Sequence, residues 1–142
     1  LNYAEARNEY LTAPDASVYK VLQDIRKRAG ITAGTTPGYS YGLKSSGMTK
    51  DEMRIAIRNE RRIEMAFEEQ RFWDLRRWKT AETALNKDLN GMIITRNATT
   101  GALTYQKAVV GKISFANPRM YFYPIPYAEI TKNTNLVQNT GW

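Results

Sequence analysis

The sequence predicts a mainly α-helical domain with a loop-rich C-terminal part and one small β-hairpin. Three observations carry this. Residues 49–79, TKDEMRIAIRNERRIEMAFEEQRFWDLRRWK, repeat apolar side chains at helical spacing over most of their length. Residues 1–30 hold two shorter helical patterns separated by Ala13-Pro14-Asp15. Beyond residue 90 the helical period stops. MIITR (92–96) and ALTYQK (102–107) alternate as strands, and Pro118, Pro124 and Pro126 then bar a central strand.

In order, residues 1–11 read as a helix with two usable faces. Leu1, Ala4, Asn8 and Leu11 mark one, and Tyr3, Ala6, Arg7 and Tyr10 the other. Asp15 or Ser17 caps the next helix. Its stripe is Val18, Val21, Leu22, Ile25 and Ala29. Arg26, Lys27 and Arg28 suit the negative end of the helix dipole, and Gly30 is a stop. Residues 1–30 are thus a helical hairpin. Residues 31–48 form a long loop in which Tyr39 and Tyr41 stand between Gly38 and Gly42. Loops of that length are often functional. The two rings either stack on a ligand such as a sugar or pack back onto the protein.

The central stretch, 49–89, is read as an ion-paired helical unit. Thr49 and Glu52 have capping-box spacing. Met53, Ala56, Ile57, Ile63 and Phe67 fall on one arc, with Arg54, Arg58, Arg61 and Arg62 opposite. Glu60 projects from the apolar arc. Glu64 lies at its flank and Glu68 further round. A carboxylate in an apolar stripe is costly without a buried partner. A row of acids at i, i+4 also repels itself. Arg71, Arg76 and Arg77 follow closely and are candidate partners, since the guanidinium fork binds carboxylates in two places. Glu60, Glu64, Glu68, Arg71, Asp74, Arg76 and Arg77 are therefore read as a structural ion-pair core. Phe72, Leu75 and Lys79 line up on the second helix, near Trp73 and Trp78. Residues 81–89 are expected to add a short helix through Ala81, Ala84, Leu85 and Leu89, stopped by Asn90-Gly91.

In the last part, 90–142, the two strands turn around Asn97–Gly101. Residues 112–126 are an aromatic, Pro-interrupted extended wrap. Tyr127 to Thr131 make one helical turn, and Trp142 docks at the end of an Asn-rich coil.

RNERRIEMAFEEQRFWDLRRWK resembles the signature helix pair of the SusD/RagB family, outer-membrane lipoproteins of Bacteroidetes-type bacteria. LNYAEARNEY (1–10), VLQDIRKRAG (21–30) and MYFYPIPYAEITKNTNLVQNTGW (120–142) are similar to the same family, in its order. The resemblance implies that 1–142 is the C-terminal domain of a longer protein. It also implies tetratricopeptide-related helical hairpins, and a lipid-anchor Cys at a distant N-terminus that makes the only membrane contact. It further implies a protein that binds glycans or other nutrients at the cell surface and delivers them to a SusC-like TonB-dependent transporter barrel. Glu69 departs from the pattern, because the family usually has Gly there.

Composition narrows the chemistry. The 142 residues contain no Cys and no His, so thiolate metal sites, disulfides and the commonest general base are excluded. No phosphate loop or nucleophile elbow occurs. Glu60, Glu64 and Glu68, held ionised by arginines, are structural rather than catalytic. No cofactor or metal is expected. The net charge is +7. Between Lys50 and Glu69, however, five basic side chains meet six acidic ones, so the most Arg-rich helix is no basic patch for nucleic acid. The reading is a non-catalytic binding protein, with a generic helical protein–protein interaction module as the alternative.

Overall fold

Helices α1 (Asn2–Tyr10), α2 (Ala16–Arg28) and α3 (Lys50–Glu64) build the first of two compact units, Leu1–Arg71, in a computed structural model that describes residues 1–142. Helix α1 packs on both α2 and α3. The core between them is Ala4, Val18, Tyr19, Leu22, Leu43, Met53 and Ile57. Each comes from the apolar face predicted for its helix, apart from Leu43 and Tyr19. The Tyr19 hydroxyl earns its buried position by accepting the Met48 N–H at 2.8 Å. Asn8, fully buried, donates its side-chain amide to the Lys50 carbonyl at 3.1 Å and so ties α1 to the start of α3.

The helix ends follow local chemistry. Asp15 caps α2, its carboxylate accepting the Ser17 and Val18 amides at 3.0 and 3.3 Å. The Ser17 hydroxyl, at 2.6 Å, and the Arg7 guanidinium, at 2.8 Å, bind the same carboxylate. These two bonds, the hydroxyl first, pull the Asp15 pKa from 3.8 to about 2. A depressed folded-state pKa stabilises above the unfolded value, and that gain is lost as pH falls towards the folded one. Stability should therefore drop between roughly pH 4 and pH 2, and Asp15→Asn should flatten this part of a pH series of thermal melts. Gly30, at φ +84°, closes α2: its amide and that of Ile31 reach the Lys27 and Arg26 carbonyls, both at 3.0 Å. Thr49 and Glu52 form the capping box of α3 in both directions, at 3.2 and 2.6 Å, a cap worth ~0.5–2 kcal/mol.

Residues 31–48 differ from the expected unstructured loop. Strands β1 (Tyr39–Ser40) and β2 (Leu43–Lys44) pair antiparallel around Tyr41-Gly42. Both turn residues have positive φ, +53° and +68°, as a type I′ turn requires. The hairpin exists because Leu43 has a place in the core.

Helix α3 also ends earlier than its apolar arc. Ile63 is exposed, and Phe67 lies beyond the helix at φ +66° with its ring in solvent. Arg61, expected on the outer face, is buried and donates to the Asn2 side chain at 2.6 Å. The corner after α3 holds Glu69 at φ +60°, the left-handed conformation that costs an L-residue ~1–2 kcal/mol. This is the position where the resemblance calls for Gly. Glu69→Gly is expected to raise stability by about 0.5–1 kcal/mol in urea melts. A loss would show that the Glu69 side chain supports the corner.

The second unit, Phe72–Trp142, starts inside α4 (Gln70–Arg77) and continues through α5 (Ala81–Leu85), β3 (Asp88–Arg96), β4 (Leu103–Lys112), a single 3-10 turn at Arg119–Tyr121, and α6 (Tyr127–Lys132). Its core is Leu75, Ala81 and Phe115, with the Phe115 and Tyr121 rings edge-to-face at 4.8 Å. The architecture is mainly α, with the predicted hairpin as its largest sheet.

The expected helix to residue 89 stops at Leu85. The Asn86 side chain pairs with the Phe115 backbone in both directions, at 2.6 and 3.2 Å, and turns the chain out of the helix. Leu89, Asn90 and Gly91 then belong to β3. Gly91 is a strand residue that makes room: a Cβ there would lie 2.6 Å from the Val110 side chain. A bulge at Leu89/Asn90 sets the register. The C-terminal wrap is held by side-chain amides. Gln138 bonds the Ile125 backbone both ways at 2.8 and 2.9 Å, and Asn139 donates to the Tyr123 carbonyl at 2.6 Å. The Trp142 indole N–H reaches the Arg119 and Phe122 carbonyls at 3.0 and 3.2 Å. Tyr127–Lys132 is the short helix expected there.

Candidate functional site

Three groups of residues are candidates, and the first is structural. Glu60 sits in the apolar face of α3 with 6% of its side chain exposed. Its partner is Arg26 of α2, whose Nε and Nη2 donate to one carboxylate oxygen at 3.0 and 2.8 Å. The third nitrogen of that guanidinium donates to the Tyr41 carbonyl at 3.2 Å. Glu64 pairs with Arg28 at 2.5 Å. The acidic row of α3 is thus answered by the basic last turn of α2, which the sequence reading assigned to the helix dipole.

Arg71, Arg76 and Arg77, the candidate partners read from the sequence, lie on α4. Arg71 is exposed at the start of α4. Arg76 lies over the Phe72 ring, 3.4 Å from its centroid, and donates to the Phe72 carbonyl at 3.1 Å. Arg77 binds Asp74, which is buried, at 2.8 Å. Glu68 is exposed beyond the end of α3. Within the first unit Glu60 and Glu64 face α2, and within the second Asp74 pairs with Arg77 on α4. On the outer side of α3, Arg54 bridges Glu9, at 2.5 Å, and Asp51. Its guanidinium holds the Glu9 carboxyl below the usual carboxylate range.

The second group is the β1–β2 hairpin. Tyr39 is half exposed on β1, and Tyr41 occupies the turn, fixed through its backbone by Arg26. The Tyr41 side chain is partly buried.

The third group escaped the sequence reading. The second unit contains a cleft of about 810 Å³ whose lining includes Trp73, Arg76, Lys79, Glu82, Asn117 and Tyr123. Trp73 and Tyr123 are more than half exposed, with ring centroids 6.3 Å apart and planes inclined at 50°. Phe72 stands edge-on to Trp73 at 4.9 Å. Glu82 accepts from the Asn117 side chain at 2.9 Å. Both walls were visible as aromatic clusters, RFWDLRRWK and NPRMYFYP, but each explained itself as packing. Only their meeting in space makes a cleft.

No cluster of metal-binding side chains occurs, and no helix is long and apolar enough to cross a membrane. Among known proteins, the chain is similar to SusD-like protein P2 of Formosa agariphila, with 29% identity over 136 residues. That alignment covers 96% of this chain and 22% of the relative, so the chain spans about a fifth of the curated protein it matches. No solved structure matches it. A sequence profile described as the SusD family matches residues 1–142, end to end, and the chain accordingly belongs to the SusD family.

Proposed function

We propose that this chain is part of a cell-surface glycan- or nutrient-binding lipoprotein that delivers its ligand to a SusC-like TonB-dependent transporter of the outer membrane. The observation that carries this reading is the family match along every residue. The SusD family is a non-catalytic, carbohydrate-binding one, and the arginine-neutralised acids of α3 suit structure better than acid–base work. On this reading the α1–α2 hairpin is a tetratricopeptide-like pair. Membrane contact comes only through an N-terminal lipid anchor outside the present residues, and no nucleic acid is involved.

Tyr39 and Tyr41 are the proposed contact with ligand or transporter. They sit on a small hairpin whose root is fixed by Leu43 and by Arg26, and loops on rigid scaffolds often carry such contacts. In the full-length protein, replacing both with Ala is expected to change stability by no more than about 0.5 kcal/mol. It should weaken either glycan binding by calorimetry or co-purification with the transporter. Unchanged binding and co-purification would remove the hairpin from the interface. A full-length protein that captures protein partners and no glycan would favour the helical interaction module instead.

A further inference from the structure

The C-terminal end of α4 has an unusual arrangement of charge. Its last carbonyls are closed by a Schellman-type pair, the Lys79 amide on Arg76 at 3.0 Å and the Thr80 amide on Leu75 at 2.9 Å. The residue at the left-handed position of that motif is Lys79, at φ +54°. Gly is the usual occupant, because an L-residue there costs ~1–2 kcal/mol. The chain instead carries a cation at that point, and Lys79 lines the cleft. Backbone held in a costly conformation is concentrated at binding and catalytic sites.

Arg76, also on the lining, is neutralised by no carboxylate. Its partners are the Phe72 carbonyl and the Phe72 and Phe115 rings, at 3.4 and 5.4 Å. Stacked in this way the guanidinium is fixed in place but keeps its charge. Lys79 likewise has no ion pair. Of the charged groups on the lining, Arg77 is matched by Asp74 and Glu82 is engaged by Asn117. Asn117 is neutral, so Glu82 keeps its charge; the lining sets two unpaired cations, Arg76 and Lys79, against one carboxylate, and its balance is positive. The same lining carries Trp73 and Tyr123, both more than half exposed. A volume of about 810 Å³ falls within the ~300–1,000 Å³ typical of small-molecule sites.

Aromatic faces beside fixed, unpaired cations select a ligand with an apolar ring face and a negative substituent. We infer that the cleft between Trp73, Tyr123, Arg76 and Lys79 is a subsite for an anionic sugar residue, one bearing a carboxylate or a sulfate. The inference rests on the reading above that the parent protein binds glycans. The sugar ring lies on the Trp73–Tyr123 wall, and its anion meets Arg76 and Lys79. Carboxylate and sulfate place the same demand on these two cations.

Isothermal titration of the full-length protein decides the matter, with oligogalacturonate, a sulfated galactan oligosaccharide and neutral maltoheptaose as probes. One of the two anionic probes should bind more tightly than maltoheptaose and weaken as salt is raised; which one identifies the anion. Lys79→Gly removes the charge while relieving the backbone, so folding is retained, and affinity for the anionic probe should fall about fivefold. Trp73→Ala should cost about tenfold. Equal affinity for the neutral probe, indifference to both substitutions, or tighter binding of an oligonucleotide than of any saccharide overturns the subsite. Glycan binding that survives both substitutions leaves the proposed function intact and removes only the cleft. No binding of any glycan removes both.

Discussion

Glu60→Ala is expected to lower folding stability by ~3–5 kcal/mol, measured as a shift of the urea midpoint at constant slope. The Arg26 and Glu60 side chains are 15% and 6% exposed, and each supplies the other's main charge partner. Truncating Glu60 leaves the guanidinium in the interior with only the Tyr41 carbonyl. The cost is dominated by that stranded charge, not by the worth of the intact pair. Arg54→Ala is the control. Arg54 also pairs with carboxylates, but Glu9 and Asp51 are substantially solvent-exposed, and such pairs contribute ~0.2–1 kcal/mol. Similar, small losses for the two variants would mean that Glu60 is hydrated in solution.

Leu22→Ala should cost ~2–5 kcal/mol. Leu22 is fully buried and shares the core of the first unit with Ala4, Val18, Met53 and Ile57. Three helices meet there, so the emptied space is bounded by side chains from separate backbones, and collapse around it is incomplete. Ile55→Ala, on the exposed side of α3, should stay within about 0.5 kcal/mol. Comparable losses at the two positions would show that the α1–α2–α3 core is loosely packed.

The sequence was most readable where a single helix explained itself. The Asp15 and Thr49 caps, the Gly30 stop, the stripe of α2 and the first half of α3 each depend on residues within one or two turns. It was least readable where a residue answers to something distant. Arg26 looks like a dipole partner until α3 brings Glu60 to it across 34 positions. Asn90-Gly91 looks like a helix stop until Val110 arrives opposite it. Leu43, alone among glycines and polar residues, gives no periodic signal, yet it anchors the hairpin that presents Tyr39 and Tyr41. The cleft of the second unit was hidden for the same reason, since Trp73 and Tyr123 lie fifty positions apart in the chain.

The β3–β4 hairpin is a sheet of two strands with no third. Both of its outer edges present unpaired backbone donors and acceptors, and Met92, Ile93, Ile94, Tyr105, Val109 and Val110 are all exposed along it. Such a ribbon is a template on which further strands can grow, which is the first step of aggregation. Protection here comes from the ribbon itself. The bulge at Leu89/Asn90 twists one edge out of line. Arg96 at one end and Lys107 near the middle place like charges along the ribbon, so that a second copy approaching in register meets repulsion, whereas Lys112 at the other end pairs with Asp88 at 3.9 Å. Solubility of this segment therefore depends on two cations, Arg96 and Lys107, and neutral substitutions there would trade it away without disturbing a single buried side chain.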